Sequence, residues 1–344
     1  MGVQSKRNAP ESATIGKRLG LLEKLRGTWE GVGFNLIARP DREGGSPLFL
    51  ELNQTFETLS FIPIGGAIPN RGSAVNDIEM FGLTYLQKVT DSVSKGGLHI
   101  EPGIWAHVPT QDADVTQSVF RLGTIPHGNA LLAQGVAISV PSLPGNTFDP
   151  GITSAVNTAP FGVNTPMPAP GTLGGFPQYD LSDMTAASVN FRTPFGDTPT
   201  IPLPDFILGV PMQNVIANPA LLLTAAISGQ NIKEMVVITI ATVPSIQQAQ
   251  PNNAPPKTII FNGGGGGLAN IPFVQRNADA ATVFATFWIE TIAGPTSDTE
   301  FLQLQYVQTV LLNFPVIVAG KPPGPNLSWP HVSVATLQKT FGGQ

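Results

Sequence analysis

Four histidines, His99, His107, His127 and His331, are the only imidazoles in 344 residues. The chain has no cysteine, so metal ligation and proton transfer fall to these four and to the carboxylates. In residues 98–108, read as a strand, period two puts His99, Glu101, Gly103, Trp105 and His107 on one face. Leu98, Ile100, Ile104, Ala106 and Val108 take the other. Same-face neighbours stand about 7 Å apart, so His99 and Glu101 can orient a ligand together, or join a second strand in holding a hard metal. The competing reading is that Glu101 merely fixes His99 on a polar face. His127, in Ile125-Pro126-His127-Gly128, reads as a turn residue, structural more often than ligating. His331 follows Pro330 at the start of an extended segment, 331–339, which would send its imidazole to one definite side. A lone histidine there is usually structural, yet axial ligation of a haem needs only one imidazole over an apolar floor.

Other chemistries lack their central residues. The pentaglycine 263–267 has neither the Lys nor the Ser/Thr of a phosphate-binding loop and reads as a flexible hairpin loop. There is no Gly-x-Ser-x-Gly elbow and no His-Glu-x-x-His pair. Asp77 and Glu79 flank Ile78 and read as solvent-facing, which leaves glycosidase chemistry without support.

The elements that must position these residues are strands. Charged residues are 12% of the chain, about half the usual share, and 37 Gly and 33 Pro fill the deficit. That composition reads as a loop-rich β protein. The net charge of −5 leaves no basic stripe for nucleic acid. The N-terminal Lys6, Arg7, Lys17, Arg18, Lys24 and Arg26 are interleaved with Glu11 and Glu23 and read as a solvated leader. With no signal-peptide pattern and no long apolar run, the expectation is a soluble cytoplasmic protein with neither membrane nor nucleic acid as partner.

Gly27-Thr28-Trp29-Glu30-Gly31-Val32-Gly33 opens the folded part. Glycines at alternate positions strip one strand face, where another backbone or a flat ligand can approach, and Trp29 is left to plug a barrel end. Before it, Leu19, Leu22 and Leu25 at spacing three predict a short helix over 15–26, acting as a lid. In 48–57, Leu48, Leu50, Leu52 and Phe56 alternate with Glu51, Asn53, Thr55 and Glu57, predicting a half-buried antiparallel strand. Further strands are expected at 81–89, 98–108, 118–122, 129–140, 235–243, 282–292 and 301–314, with 220–227 a short helix or strand. Residues 141–219 are Pro/Gly-rich and predict no regular element, only an insertion that wraps the outside or covers a mouth. The division is therefore a leader and helix (1–26), a first barrel part (27–140), the insertion (141–219) and the rest of the same barrel (220–344). The fold class expected is all-β, a single antiparallel up-and-down barrel of about ten strands.

Three motifs in this order, residues 27–33, then His99-Ile100-Glu101-Pro102-Gly103-Ile104-Trp105, then His331 and the strand to Lys339, resemble the nitrobindin-like haem-binding β-barrels. The likeness covers about residues 20–140 and 215–340 and makes this a larger, loop-decorated relative; the Pro-rich middle and the loops at 62–71 and 247–267 depart from it. The resemblance implies b-type haem with His331 as axial and metal ligand. It implies a pocket shaped by Trp29, Gly31, His99, Glu101 and His127. An open opposite side of the iron would permit nitric oxide binding, peroxynitrite isomerisation or peroxide chemistry. Two other readings stand beside it: a lipocalin-like carrier of a hydrophobic small molecule without metal, and a cupin-like metal site using His99, Glu101 and His107, or His127.

Overall fold

One strand decides the architecture. In the computed structural model, β1 (Gly27–Arg39) pairs along its whole length with β2 (Phe49–Pro63). On its other edge, from Trp29 to Ile37, it pairs with the last long strand, β10 (Asn326–Lys339). Between them run β3 (Ile78–Asp91), β4 (Gly97–Val108), β5 (Thr116–Ile125), β6 (Asn129–Pro141), β7 (Ile232–Ala241), β8 (Thr282–Ala293) and β9 (Glu300–Pro315). Ring neighbours follow chain order and are antiparallel throughout, so the fold is the closed ten-strand up-and-down barrel the alternation predicts. The structure describes residues 11–41, 47–70, 78–108, 116–125, 129–141, 157–172, 175–182, 204–260, 281–296 and 299–340. The pentaglycine lies outside them.

The opening glycines serve closure. A Cβ on Gly31 would lie 2.2 Å from the Thr336 carbonyl oxygen, and one on Gly33 2.4 Å from that of Val334. Either would push β10 away, so it is a backbone, not a flat ligand, that takes the stripped face. Trp29 does plug a barrel end. It is fully buried, and its Nε1 donates to the Leu25 carbonyl at 2.7 Å. Lys339 Nζ sits 5.3 Å from its ring centroid. The lid is α1 (Ser12–Leu19) followed by a 3₁₀ turn, Gly20–Leu25. Leu19, Leu22 and Leu25 sink into the interior cluster with Trp29, Phe61 and Leu131.

The polarity of β2 is inside out relative to the simplest reading of its alternation. Leu48, Leu50 and Leu52 are fully buried, but on the outer wall, while Glu51, Asn53, Thr55 and Glu57 are buried facing the barrel interior. The described parts of the insertion and the segment that follows it explain the difference. Tyr179, helix α2 (Met212–Ala217) and helix α3 (Leu221–Ala226) cover the outward Phe34, Leu36, Leu50, Trp288, Trp329 and Val332 in a second core. Helix α2 and the short strands Phe161–Gly162, Phe206–Ile207 and Val210–Pro211 fall where no regular element is expected. Six residues are too few for a helical period to register, although Met212, Val215 and Ile216 share one buried face. Likewise Ser245–Gln248 pairs with Lys257–Ile260, a hairpin that falls largely within the stretch 247–267 read as loop. Among the described residues, no helix is long and apolar enough to cross a membrane.

Candidate functional site

A cavity of about 350 Å³ occupies the end of the barrel opposite the Trp29 plug, within the range of small-molecule sites. Six apolar side chains from five strands, Ile37, Val89, Leu98, Ile125, Val310 and Leu312, contribute to its wall. Cross-strand register places His331 between Ile37 of β1 and Val310 of β9, so this imidazole stands in an apolar part of the wall.

Beneath lies a polar floor made of two hydrogen-bonded networks. In the first, fully buried Glu57 accepts from Tyr306 Oη at 2.5 Å, from Gln87 Nε2 at 3.1 Å and from Thr55 Oγ1 at 3.1 Å. Burial pushes this carboxyl above its ordinary range despite those donors. In the second, Arg121 donates to Glu101 Oε1 and Gln308 Oε1, both at 2.7 Å, and to Tyr85 Oη at 3.0 Å. Tyr85 in turn donates to Glu101. Burial alone would raise the Glu101 carboxyl, but the adjoining guanidinium and the bonds from His99 and Tyr85 bring it down to about 2. Aromatic rings support the cation from below: Arg121 lies 4.9, 5.5 and 5.6 Å from the ring centroids of Tyr85, Trp105 and Phe287. The floor is thus a fixed ion pair on an aromatic base, beside a carboxyl biased towards its neutral form.

His99 joins floor to cavity. Its Nε2 lies 3.4 Å from Glu101 Oε2, far closer than the backbone spacing of the two residues, and it lines the cavity together with His331. Those two are the sequence-derived candidates brought together. Glu101 sits under His99, out of direct contact with the cavity. Trp29 lies at the plugged end, and Gly31 is pressed against β10, below the cavity. His127 falls outside the described residues.

The cupin-like set His99, Glu101 and His107 requires correction, while its alternative with His127 falls on a residue outside those described. His107 is on the inner face of β4 with His99, but at the plugged end, where its Nδ1 donates to the Arg18 carbonyl at 3.0 Å. Burial lowers its proton affinity, so it is a neutral part of the lid contact. The residues 99, 101 and 107 share a face yet span the barrel's length, which separates the imidazoles. Among the described residues, no group of three or more His, Asp or Glu side chains is placed to hold a metal ion.

Sequence reasoning missed most of the floor: Glu57, Gln87, Arg121, Tyr306 and Gln308. A signal was present. Arg121 is the one charged residue in the strand-like stretch 118–122, between Phe120 and Leu122. Two apolar neighbours on the outer face imply an inward guanidinium, which in turn calls for a buried carboxylate.

No protein-family model and no curated protein matches the sequence. Among solved structures, that of Rv2717c from M. tuberculosis resembles the chain at 11% identity over 94% of this chain and 98% of that one, with a TM-score of 0.32. The barrel is established by the strand pairing of this chain itself.

Proposed function

We propose that this protein is a small-ligand-binding barrel, and that b-type haem ligated by His331 is its first candidate ligand. The observation that carries the reading is the position of His331 in a cavity at the open end of the barrel, flanked across the strands by Ile37 and Val310. A single imidazole in an apolar wall is the donor set that axial ligation requires, so the residues present fit the group. When bound, haem would supply an iron site for nitric oxide, peroxynitrite or peroxide. The chain would contribute the ligating imidazole of His331, a second imidazole at His99 oriented by Glu101, and a floor whose ion pair is already compensated. Hemin titration tests the assignment. The expected result is a ligated Soret band in the wild-type protein that is lost or shifted in His331→Ala; no band, or the same band in the variant, overturns it.

The distribution of polarity favours a second reading, a metal-free carrier. Apolar side chains at the mouth above a hydrogen-bonding floor suit an amphiphile bound polar end first. Native mass spectrometry of freshly purified protein separates the two: an organic adduct without iron supports the carrier, and an iron-porphyrin mass supports haem.

A further inference from the structure

One strip of the cavity wall has a chemistry of its own. Gln308 of β9 pairs in register with Ser333 of β10, Ser333 with Asn35 of β1, and Asn35 with Asn53 of β2. All four line the cavity. Inward residues directly opposite one another on neighbouring strands stand about 5 Å apart, so the four make a continuous ladder of carboxamide, hydroxyl, carboxamide, carboxamide. None of them is charged.

Two rungs are already oriented. Gln308 Oε1 accepts from Arg121 Nη1 at 2.7 Å, which directs its amide nitrogen away from the guanidinium. Asn53 Nδ2 donates to Glu51 Oε1 at 3.2 Å, which leaves its carbonyl oxygen as the remaining acceptor. The rung between them is unfinished. Asn35 is only 8% exposed, and its Oδ1 has no hydrogen-bond partner among the described residues. A buried carbonyl oxygen left without a donor is costly, and buried polar groups are paired in the great majority of cases.

The charges around the ladder decide what could pair with it. Arg39 is engaged with Glu51 at 3.4 Å, and Arg121 with Glu101 at 2.7 Å. Arg39 and Arg121 are thus each matched by a carboxylate, and Glu57, which has only neutral donors, is biased by burial towards its neutral form, so neither guanidinium is left over to hold an anionic head group. We propose that the ladder Gln308–Ser333–Asn35–Asn53 is a recognition site for a neutral carboxamide, whose N–H donates to Asn35 Oδ1 and whose carbonyl accepts from the Gln308 amide. The apolar side chains Ile37, Val310 and Leu312 beside it take the hydrocarbon part of the same ligand. This rests on the carrier reading and names its ligand class.

The test is a head-group series on one tail, titrated into haem-free wild-type protein by calorimetry or by side-chain amide NMR: octanamide, octanoate and octylammonium. Octanamide is expected to bind about tenfold more tightly than either ion, and Asn35→Ala to weaken it by about tenfold, the usual worth of one buried hydrogen bond with its desolvation. Octanoate or octylammonium binding as tightly as octanamide overturns the inference without needing any variant to fold, while leaving the carrier reading standing. Unchanged octanamide affinity in a folded Asn35→Ala protein does the same. If no member of the series binds, the carrier reading fails with it.

Discussion

Glu290 offers the sharpest test of how this barrel is built. It lies on the outer wall of β8, fully buried, with Gln303 of β9 and Met235 of β7 as its cross-strand neighbours. Gln303 Nε2 donates to its Oε2 at 2.7 Å and is itself bonded to Gln230, while Oε1 has no partner among the described residues. Burial therefore outweighs the single donor and raises the carboxyl from 4.5 to about 7. A carboxyl with raised folded-state affinity keeps its proton in the folded protein after the unfolded chain has lost it. The contribution of Glu290 to stability is thus fully present below about pH 4.5 and is lost as pH rises to about 7, then levels. At about 1.4 kcal/mol for each tenfold change in proton affinity, the full loss is about 3 kcal/mol. Glu290→Gln copies the protonated form at every pH. Urea unfolding, followed by the buried tryptophans, should show the variant gaining on the wild type by about 2 to 3 kcal/mol between pH 5 and pH 9. Glu57 also titrates upwards, but equally in both proteins, so it cancels in the difference. A wild-type-to-variant difference that is the same at both pH values would refute the reasoning.

Two further outcomes follow from the interior. Arg121→Met strands Glu101 as a buried carboxylate and strips donors from Tyr85 and Gln308, so it should cost about 3 to 5 kcal/mol; adding Glu101→Leu should recover most of that loss in a double-mutant cycle. Trp29→Ala empties the plugged end and removes the bond to Leu25, with an expected loss of about 3 to 5 kcal/mol and faster amide exchange over residues 19–25.

The barrel was legible in the sequence because alternation survives wherever a strand has two chemically distinct faces. In β9, Leu304, Tyr306 and Val310 against Gln303, Gln305 and Thr309 announce a strand whatever the environment of each face. What alternation cannot report is which face is inside. That is set by what covers the outer wall, and here the cover comes from segments more than a hundred residues away. Tyr179 and Ile216 reach Leu36 and Leu50 only in three dimensions. The site suffered accordingly. His331 and His99 were found because histidine is rare in this chain, whereas Asn35, Glu57 and Gln308 look like solvent-facing positions until the outer core is known.

The outer core and the polar cavity are two consequences of one arrangement. Every long strand must bury apolar surface somewhere to offset the entropy of ordering it. On β1, β2 and β10 that surface is outward, in Phe34, Leu36, Leu50, Leu52, Trp329 and Val332, sealed by the insertion. Their inward faces are thereby released from core duty near the open end, and those faces hold Asn35, Glu51, Asn53, His331 and Ser333. Strands β5 and β6, which the outer core barely touches, show the reverse, with Val119, Leu131, Ala133 and Ala137 turned inwards. Arg121 is the exception on β5, and it is there only with Glu101, Tyr85 and Gln308 in attendance. The Pro/Gly-rich insertion therefore contributes to the binding site from outside the barrel: by covering one half of the wall, it lets the other side of that wall be polar.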